Sequence, residues 1–202
     1  MTDANFHTGT VYVVDDDPSV LKMLQTLVAT MVGDVRAFSS AKEFLAAYHP
    51  MPCECLICDL RMPDIDGIEL QKRLKSLDCA PPIIFLTGFA EVSIAVEAMR
   101  HGAIDFLEKP FSAHNLLGKV QCALDGSREQ YAKWLELQAK EARMALLTPT
   151  ERKVMRHVIE GKSSREIAEM FDVSVRTIEN HRNRILEKMR VDSAVQLVKL
   201  FT

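Results

Sequence analysis

The chain has 202 residues, 48% apolar and 26% charged, with a net charge of −3. Those are ordinary globular values, enough for one large domain or two small ones, and no tract is of low complexity. No apolar run approaches the ~20 residues of a membrane span, and residues 1–9 lack the basic start and apolar core of a secretory signal, so a cytoplasmic protein with no membrane partner is expected.

The charge is unevenly distributed. Residues 1–147 carry a balance of −6 and residues 148–202 a balance of +3. An acidic front and a basic tail suggest separate tasks, with the tail suited to a polyanion. The five cysteines, Cys53, Cys55, Cys58, Cys79 and Cys122, are odd in number, and disulfides are not expected.

In chain order, short apolar runs alternate with helical patterns. Strands are expected at 10–14, 34–38, 53–59, 83–86 and 104–108. Pro18 after Asp17 suits the first turn of a helix with an aspartate cap. Ser40 with Glu43 fits a capping box before Phe44-Leu45-Ala46. Gly67 precedes a helical period over 68–74, and the last helix of this part should start near Ser112. Five strand–helix units predict an α/β fold, a five-stranded doubly wound parallel sheet.

Residues 112–147 contain no proline, and 127–145 are rich in good helix formers. An extended or second helix should lead to Thr148-Pro149. Tyr131, Trp134, Leu135 and Gln138 give it one partly apolar face, which fits a solvated linker and a dimer contact equally well. Beyond it the pattern is all helical. A helix runs from Pro149 to Ile159 and stops at Gly161. Ser164 is expected to cap a short helix to Phe171. A turn at 172–174 leads to a longer helix over 175–189, and Ser193 caps a last one to Phe201.

The strand ends carry the chemistry. Val11-Tyr12-Val13-Val14 ends in Asp15-Asp16-Asp17, Cys55-Leu56-Ile57-Cys58 in Asp59, Ile83-Ile84-Phe85-Leu86 in Thr87, and Phe106-Leu107-Glu108 in Lys109-Pro110. The C-terminal edge of an open α/β sheet is where ligands bind. Each feature alone is better explained as a cap or solvated charge; together, at four strand ends, they are not. Carboxylates brought close need a cation, and Mg²⁺ is held by few carboxylates and several waters. Such a site permits a carboxylate to attack phosphorus, with the Lys109 ammonium and the Thr87 hydroxyl receiving phosphoryl oxygens. Cys53 and Cys55 fall on one strand face and Cys58 on the other, so they read as packing rather than a metal site.

These residues, Val14-Asp15-Asp16, Asp59-Leu60-Arg61-Met62-Pro63-Asp64-Ile65-Asp66-Gly67, Leu86-Thr87-Gly88 and Asp105-Phe106-Leu107-Glu108-Lys109-Pro110, resemble the receiver domain of bacterial two-component response regulators over about residues 8–125. The resemblance implies that Asp59 accepts phosphate from a sensor histidine kinase and that Asp15, Asp16, Asp59 and the backbone carbonyl of Arg61 hold Mg²⁺. It implies that Thr87, Phe106 and Lys109 form the switch and that the Lys109–Pro110 bond is cis. Phe106 stands where tyrosine is also common, and Gly88 where a larger residue is frequent. A phosphatase of the haloacid-dehalogenase type needs an aspartate two residues after its nucleophile, where this chain has Arg61.

Over residues 163–189, helix, turn and longer helix have the spacing of a helix-turn-helix. By charge alone the longer helix fits a plain surface helix as well as a DNA reader. Leu147-Thr148-Pro149-Thr150-Glu151-Arg152, Gly161-Lys162-Ser163-Ser164-Arg165-Glu166-Ile167-Ala168 and Val175-Arg176-Thr177-Ile178-Glu179-Asn180-His181-Arg182 resemble the LuxR-type helix-turn-helix. The resemblance implies that Glu179, Asn180 and Asn183 face base edges. Lys162, Arg176, Thr177, Arg182, Arg184 and Lys188 would meet phosphates of double-stranded DNA, with Glu151 and His181 structural. The combination is the NarL/FixJ arrangement. It implies a receiver at 1–125, a helical linker at 126–146, a DNA-binding domain at 147–202, and a homodimer when phosphorylated.

Overall fold

The computed structural model describes residues 7–88, 96 and 98–201. Its first unit contains β1 (His7–Val14), α1 (Pro18–Val28), β2 (Val32–Phe38), α2 (Ala41–Ala47), β3 (Glu54–Asp59), α3 (Gly67–Lys75), β4 (Ile83–Thr87) and β5 (Asp105–Glu108). The strands form one sheet in the order β2-β1-β3-β4-β5, and every pairing is parallel. This is the doubly wound order, in which the strand order reverses between β1 and β3 while all strands stay parallel.

Parallel strands covered on both faces read as unbroken apolar runs. All six residues of β3 and all five of β4 are buried. Alternation divides them between two cores. Tyr12, Val14, Leu56, Cys58, Ile83 and Phe85 pack with Phe44 of α2 and Leu70 and Leu74 of α3. Val11, Val13, Cys55, Ile57, Ile84 and Leu86 pack with Leu24 and Val28 of α1 and with Leu116, Val120 and Leu124 of the following helix. Burying one such aliphatic side chain contributes roughly 1.5–3 kcal/mol, so the register is strongly specified. Cys53 and Cys55 lie in one core and Cys58 in the other, as alternation predicts, and all five cysteines are free.

The helix starts follow their caps. Asp17 accepts from the Ser19 amide with Pro18 at the first turn. Ser40 accepts from the Glu43 amide, but the expected reciprocal bond is displaced by one residue: the Glu43 carboxylate accepts from the Ser39 amide and hydroxyl instead. A single helix, α4 (Ala113–Ala145), covers 33 residues. Compact packing divides the chain within it, residues up to Trp134 belonging to the first unit and those from Leu135 to the second.

The second unit contains the end of α4, then α5 (Pro149–Ile159), α6 (Ser164–Phe171), α7 (Val175–Met189) and α8 (Ala194–Lys199). Val154, Met155, Val158, Ile167, Ile178, Ile185, Met189 and Leu197 make its core, with Met144 of α4 packed against it. Thr148 with Glu151 and Ser163 with Glu166 form complete capping boxes. Ser163, not the expected Ser164, therefore caps α6. A capping box needs an acid three residues on; Ser163 has Glu166 there, whereas Ser164 has Ile167. Among the described residues no helix is long and apolar enough to cross a membrane.

Candidate functional site

At the sheet's reversal point, β1 delivers Asp15 and β3 delivers Asp59, which are only 1% and 8% exposed. Between them sits one cation. The Lys109 ammonium donates to Asp15 Oδ2 at 2.8 Å and to Asp59 Oδ1 at 2.6 Å. The remaining carboxylate oxygens are occupied by backbone: Asp15 Oδ1 accepts from the Asp17 amide at 2.9 Å and Asp59 Oδ2 from the Arg61 amide at 2.8 Å. Lys109 is fixed to its neighbour strand, its amide donating to the Thr87 carbonyl at 2.7 Å. Thr87 is buried at the end of β4. The Lys109–Pro110 bond is cis, as expected.

One glycine is required beside Asp59. A Cβ on Gly67 would lie 2.7 Å from the Asp59 carbonyl oxygen and 2.8 Å from the Phe85 ring. Asp66 caps α3 there by accepting from the Glu69 amide, and the Gly67 amide donates to the Leu60 carbonyl. The start of α3 is thereby pressed against the end of β3.

Burial raises the Asp15 carboxyl above its ordinary pKa, against the opposing pull of Lys109 and the Asp17 amide. Burial works against the Lys109 charge, but its hydrogen bonds to Asp15 and Asp59 outweigh it and the ammonium's pKa is raised. The pocket thus holds two buried carboxylates against one ammonium. A hard cation with oxygen ligands fits this donor set. The expected trio is not assembled, however: Asp16 is exposed, and among the described residues no three His, Cys, Asp or Glu side chains are grouped as metal ligands. Lys109 is what joins Asp15 to Asp59. Phe106 is half-buried against the core under α2 and α3. The receiver resemblance also implies that the switch through Thr87 and Phe106 remodels the surface around residues 91–120; of these, residues 91–95 and 97 lie outside the described residues.

In the second unit, α6 and α7 enclose the turn at 172–174, where Asp172 adopts a left-handed backbone. Ser174 caps α7 by accepting from the Thr177 amide, and the two hydroxyls are 2.8 Å apart. Ile178, Ile185 and Met189 face the core. On the opposite face Arg176, Glu179, Asn180, Asn183 and Arg184 are exposed at helical spacing. Two expected phosphate contacts sit off that face. Arg182 is half-buried and donates to the Lys162 carbonyl at 3.4 Å. Lys188 is paired with Glu151 at 2.6 Å.

Glu151 is 2% exposed. Burial opposes its charge, but Lys188 and the Thr148 bonds prevail and lower its pKa. Lys188 therefore joins α7 to α5 through a buried carboxylate, with its own side chain partly exposed. His181 is half-buried.

Comparison with known proteins agrees with both halves of this geometry. Residues 11–121 match the model of the response regulator receiver domain, and residues 145–201 that of the luxR family of bacterial regulatory proteins. The chain belongs to the response regulators. Like others of the NarL/FixJ family, it joins a receiver domain to a LuxR-type DNA-binding domain. It is 40% identical to the transcriptional regulatory protein FixJ of Bradyrhizobium diazoefficiens over 95% of this chain and 94% of that one. Its identity to the response regulator protein TmoT of Ectopseudomonas mendocina is 36%, over 97% and 89%. Among solved structures it resembles the response regulator StyR, with a TM-score of 0.82 and 35% identity over 96% and 98% of the two chains. Full-length FixJ from B. japonicum gives 0.56 and 40% over 95% of each.

Within this response regulator, two features had weak sequence signals. Gly67 closed a motif string but carried no assigned role; its part in seating α3 against Asp59 emerges only in the packing. The pairing of Lys188 was legible only indirectly, through the Thr148–Glu151 capping box that buries its partner.

Proposed function

We propose that Asp59 is the phosphoacceptor and that its phosphorylation by a sensor histidine kinase controls DNA binding by the exposed face of α7. The observation that carries this reading is the Asp15–Lys109–Asp59 cluster at the reversal point of the sheet. An Asp59 carboxylate oxygen attacks the phosphorus of a phosphohistidine, the new O–P bond forms as the P–N bond breaks, and the leaving imidazole takes up a proton. Lys109 moves from neutralising two carboxylates to neutralising phosphoryl oxygens, and the Thr87 hydroxyl donates to another. Mg²⁺ held by Asp15, Asp59 and the Arg61 carbonyl, with Asp16 acting on its periphery, would neutralise charge that accumulates in transfer. Arg61 in place of a second aspartate favours a lasting phosphoaspartate over turnover.

Changed contacts at Thr87 and Phe106 bias a two-state surface beyond β4, and the phosphorylated form dimerises. Two copies then occupy half-sites roughly 10 bp or a multiple apart. Glu179, Asn180 and Asn183 suit base edges, whereas Lys162, Arg176, Thr177 and Arg184 suit phosphates, with Arg182 orienting Lys162. The domain limits of this reading are a receiver at 1–125, a connecting helix at 126–146 and a DNA-binding domain at 147–202. Incubation with a small-molecule phosphodonor and Mg²⁺ tests it: one phosphoryl group per chain is expected on the wild type and none on Asp59→Asn. A phosphoryl group retained by Asp59→Asn contradicts the assignment.

A further inference from the structure

The exposed face of α7 is built from two rows at helical spacing. Arg176, Asn180 and Arg184 make one row, and Glu179, Asn183 and Glu187 make its neighbour, each row stepping four residues. All six side chains are exposed. Arg176 and Glu179, like Arg184 and Glu187, stand three residues apart, yet among the described residues no ion pair joins them. Other acids of the same unit are engaged. Glu151 pairs with Lys188, Glu160 with Lys162 and Glu169 with Arg165, and the Glu166 carboxylate accepts from the Ser163 amide.

Duplex DNA carries one negative charge about every 1.7 Å of its axis. The arginine row suits that backbone, and a carboxylate row beside it does not. A carboxylate on this face is favourably placed only where it meets a hydrogen-bond donor. Major-groove base edges offer two, the N4 amino group of cytosine and the N6 amino group of adenine. A carboxylate accepts from cytosine N4, whereas a carboxamide accepts from adenine N6 and donates to adenine N7. Guanine presents only the acceptors O6 and N7 there, which repel a carboxylate. Residues four apart lie about 6 Å apart along a helix, roughly two base-pair steps of about 3.4 Å. Recognition helices read bases with their N-terminal residues, which selects Glu179 and Asn183 from their row over Glu187.

We infer that Glu179 and Asn183 determine the sequence specificity of α7, Glu179 selecting a cytosine and Asn183 an adenine within about two base-pair steps of it. The inference rests on the reading of the second unit as a DNA-binding domain and deepens it by naming the bases. Glu179 acts in two ways. It gains a donor on the right sequence and is repelled by phosphates on every other, so part of the selectivity comes from weakened non-specific binding.

In the test, the full chain and its variants are each used to select duplexes from a pool with a randomised core. Affinities for the selected duplex and for a mixed-sequence duplex are then measured. Glu179→Gln should exchange a cytosine preference for adenine at one position, because glutamine offers adenine the bidentate pairing. Glu179→Ala should abolish that preference, lowering discrimination by about five- to a hundredfold. It should also tighten binding to the mixed-sequence duplex by about two- to fivefold, the scale of one exposed charge interaction. A change in the DNA tests Asn183 on the unaltered protein. Replacing the selected adenine by 7-deazaadenine removes N7 and should weaken the wild type by about threefold or more, while leaving the affinity of Asn183→Ala unchanged. A 7-deazaadenine duplex bound by the wild type as tightly as its parent overturns the role of Asn183. If Glu179→Gln and Glu179→Ala both select the wild-type sequence, the row does not read bases and the inference is overturned, whereas salt-dependent affinity for the mixed-sequence duplex keeps the DNA-binding reading intact. If the wild type binds neither duplex, that reading fails and the inference falls with it.

Discussion

Among the described residues, the receiver pocket sets one half-buried lysine against two buried carboxylates. On α7 many polar and charged groups are present, and most are exposed. The first arrangement holds an excess of negative charge in a buried site, which suits a hard cation. The second has little internal commitment, so its groups are free to meet a polyanion. Two basic residues of α7 show the same contrast: Lys188 is paired with buried Glu151, whereas Arg184 is exposed. On the proposed reading, burial, more than charge, separates the groups that switch or support from the groups that bind.

The largest effect should come from the crowded end of β3. Gly67→Val forces atoms into the Asp59 carbonyl and the Phe85 ring and should cost about 3 kcal/mol or more of receiver stability in urea denaturation. Gly33→Ala, where an added Cβ meets nothing within 4 Å, should change stability by less than about 0.5 kcal/mol. Equal losses at the two glycines would remove packing against Asp59 as the reason for the motif's glycine.

Two buried glutamates sharpen the comparison through opposite responses to pH. Glu54, at the far end of β3 from Asp59, accepts from the Tyr48 hydroxyl at 2.6 Å and the Met51 amide at 3.1 Å but pairs with no cation among the described residues. Burial pushes its pKa from 4.5 up to about 7, although those two bonds lower it. The folded state then holds a proton the unfolded state releases, so its stabilising contribution is complete below pH 4.5 and is lost as pH rises through about 7. The loss is on the order of 3 kcal/mol, and Glu54→Gln should flatten stability in that window. Glu151 has the reverse sign, because its folded pKa is lowered; its contribution is present above pH 4.5 and fades as pH falls below it. Thermal melts across pH should therefore show the two units responding in opposite directions, and parallel responses would contradict the assigned environments.

Smaller effects separate the cations of α7. Lys188→Ala should destabilise the second unit by about 1–3 kcal/mol by leaving Glu151 buried and unpaired. Arg184→Ala should leave stability within about 0.5 kcal/mol and lower the salt slope of DNA binding by about 1. Reversed outcomes would exchange their roles.

The fold was legible because its parallel strands are buried on both faces, which leaves apolar runs ending abruptly at Asp15, Asp59 and Thr87. Caps were legible to within a residue; choosing Ser163 over Ser164 needed the position of Glu166 taken into account. The pocket's residue types were legible too, but not that Lys109 would bridge two carboxylates while Asp16 stays exposed, since that depends on how the loop after β1 turns. Lys188 and Arg184 are both basic residues on one helix, and only packing against α5 distinguishes them.

The central claim is that the charge state at Asp59 sets the DNA affinity of the second unit. Titrating DNA with the wild type and with Asp59→Asn, each with and without beryllofluoride and Mg²⁺ as a phosphoryl mimic, tests it most directly. The account predicts tighter binding by the wild type when the mimic is present and no response from Asp59→Asn. Binding by the wild type that is indifferent to the mimic, or an Asp59→Asn variant that responds as the wild type does, would contradict it.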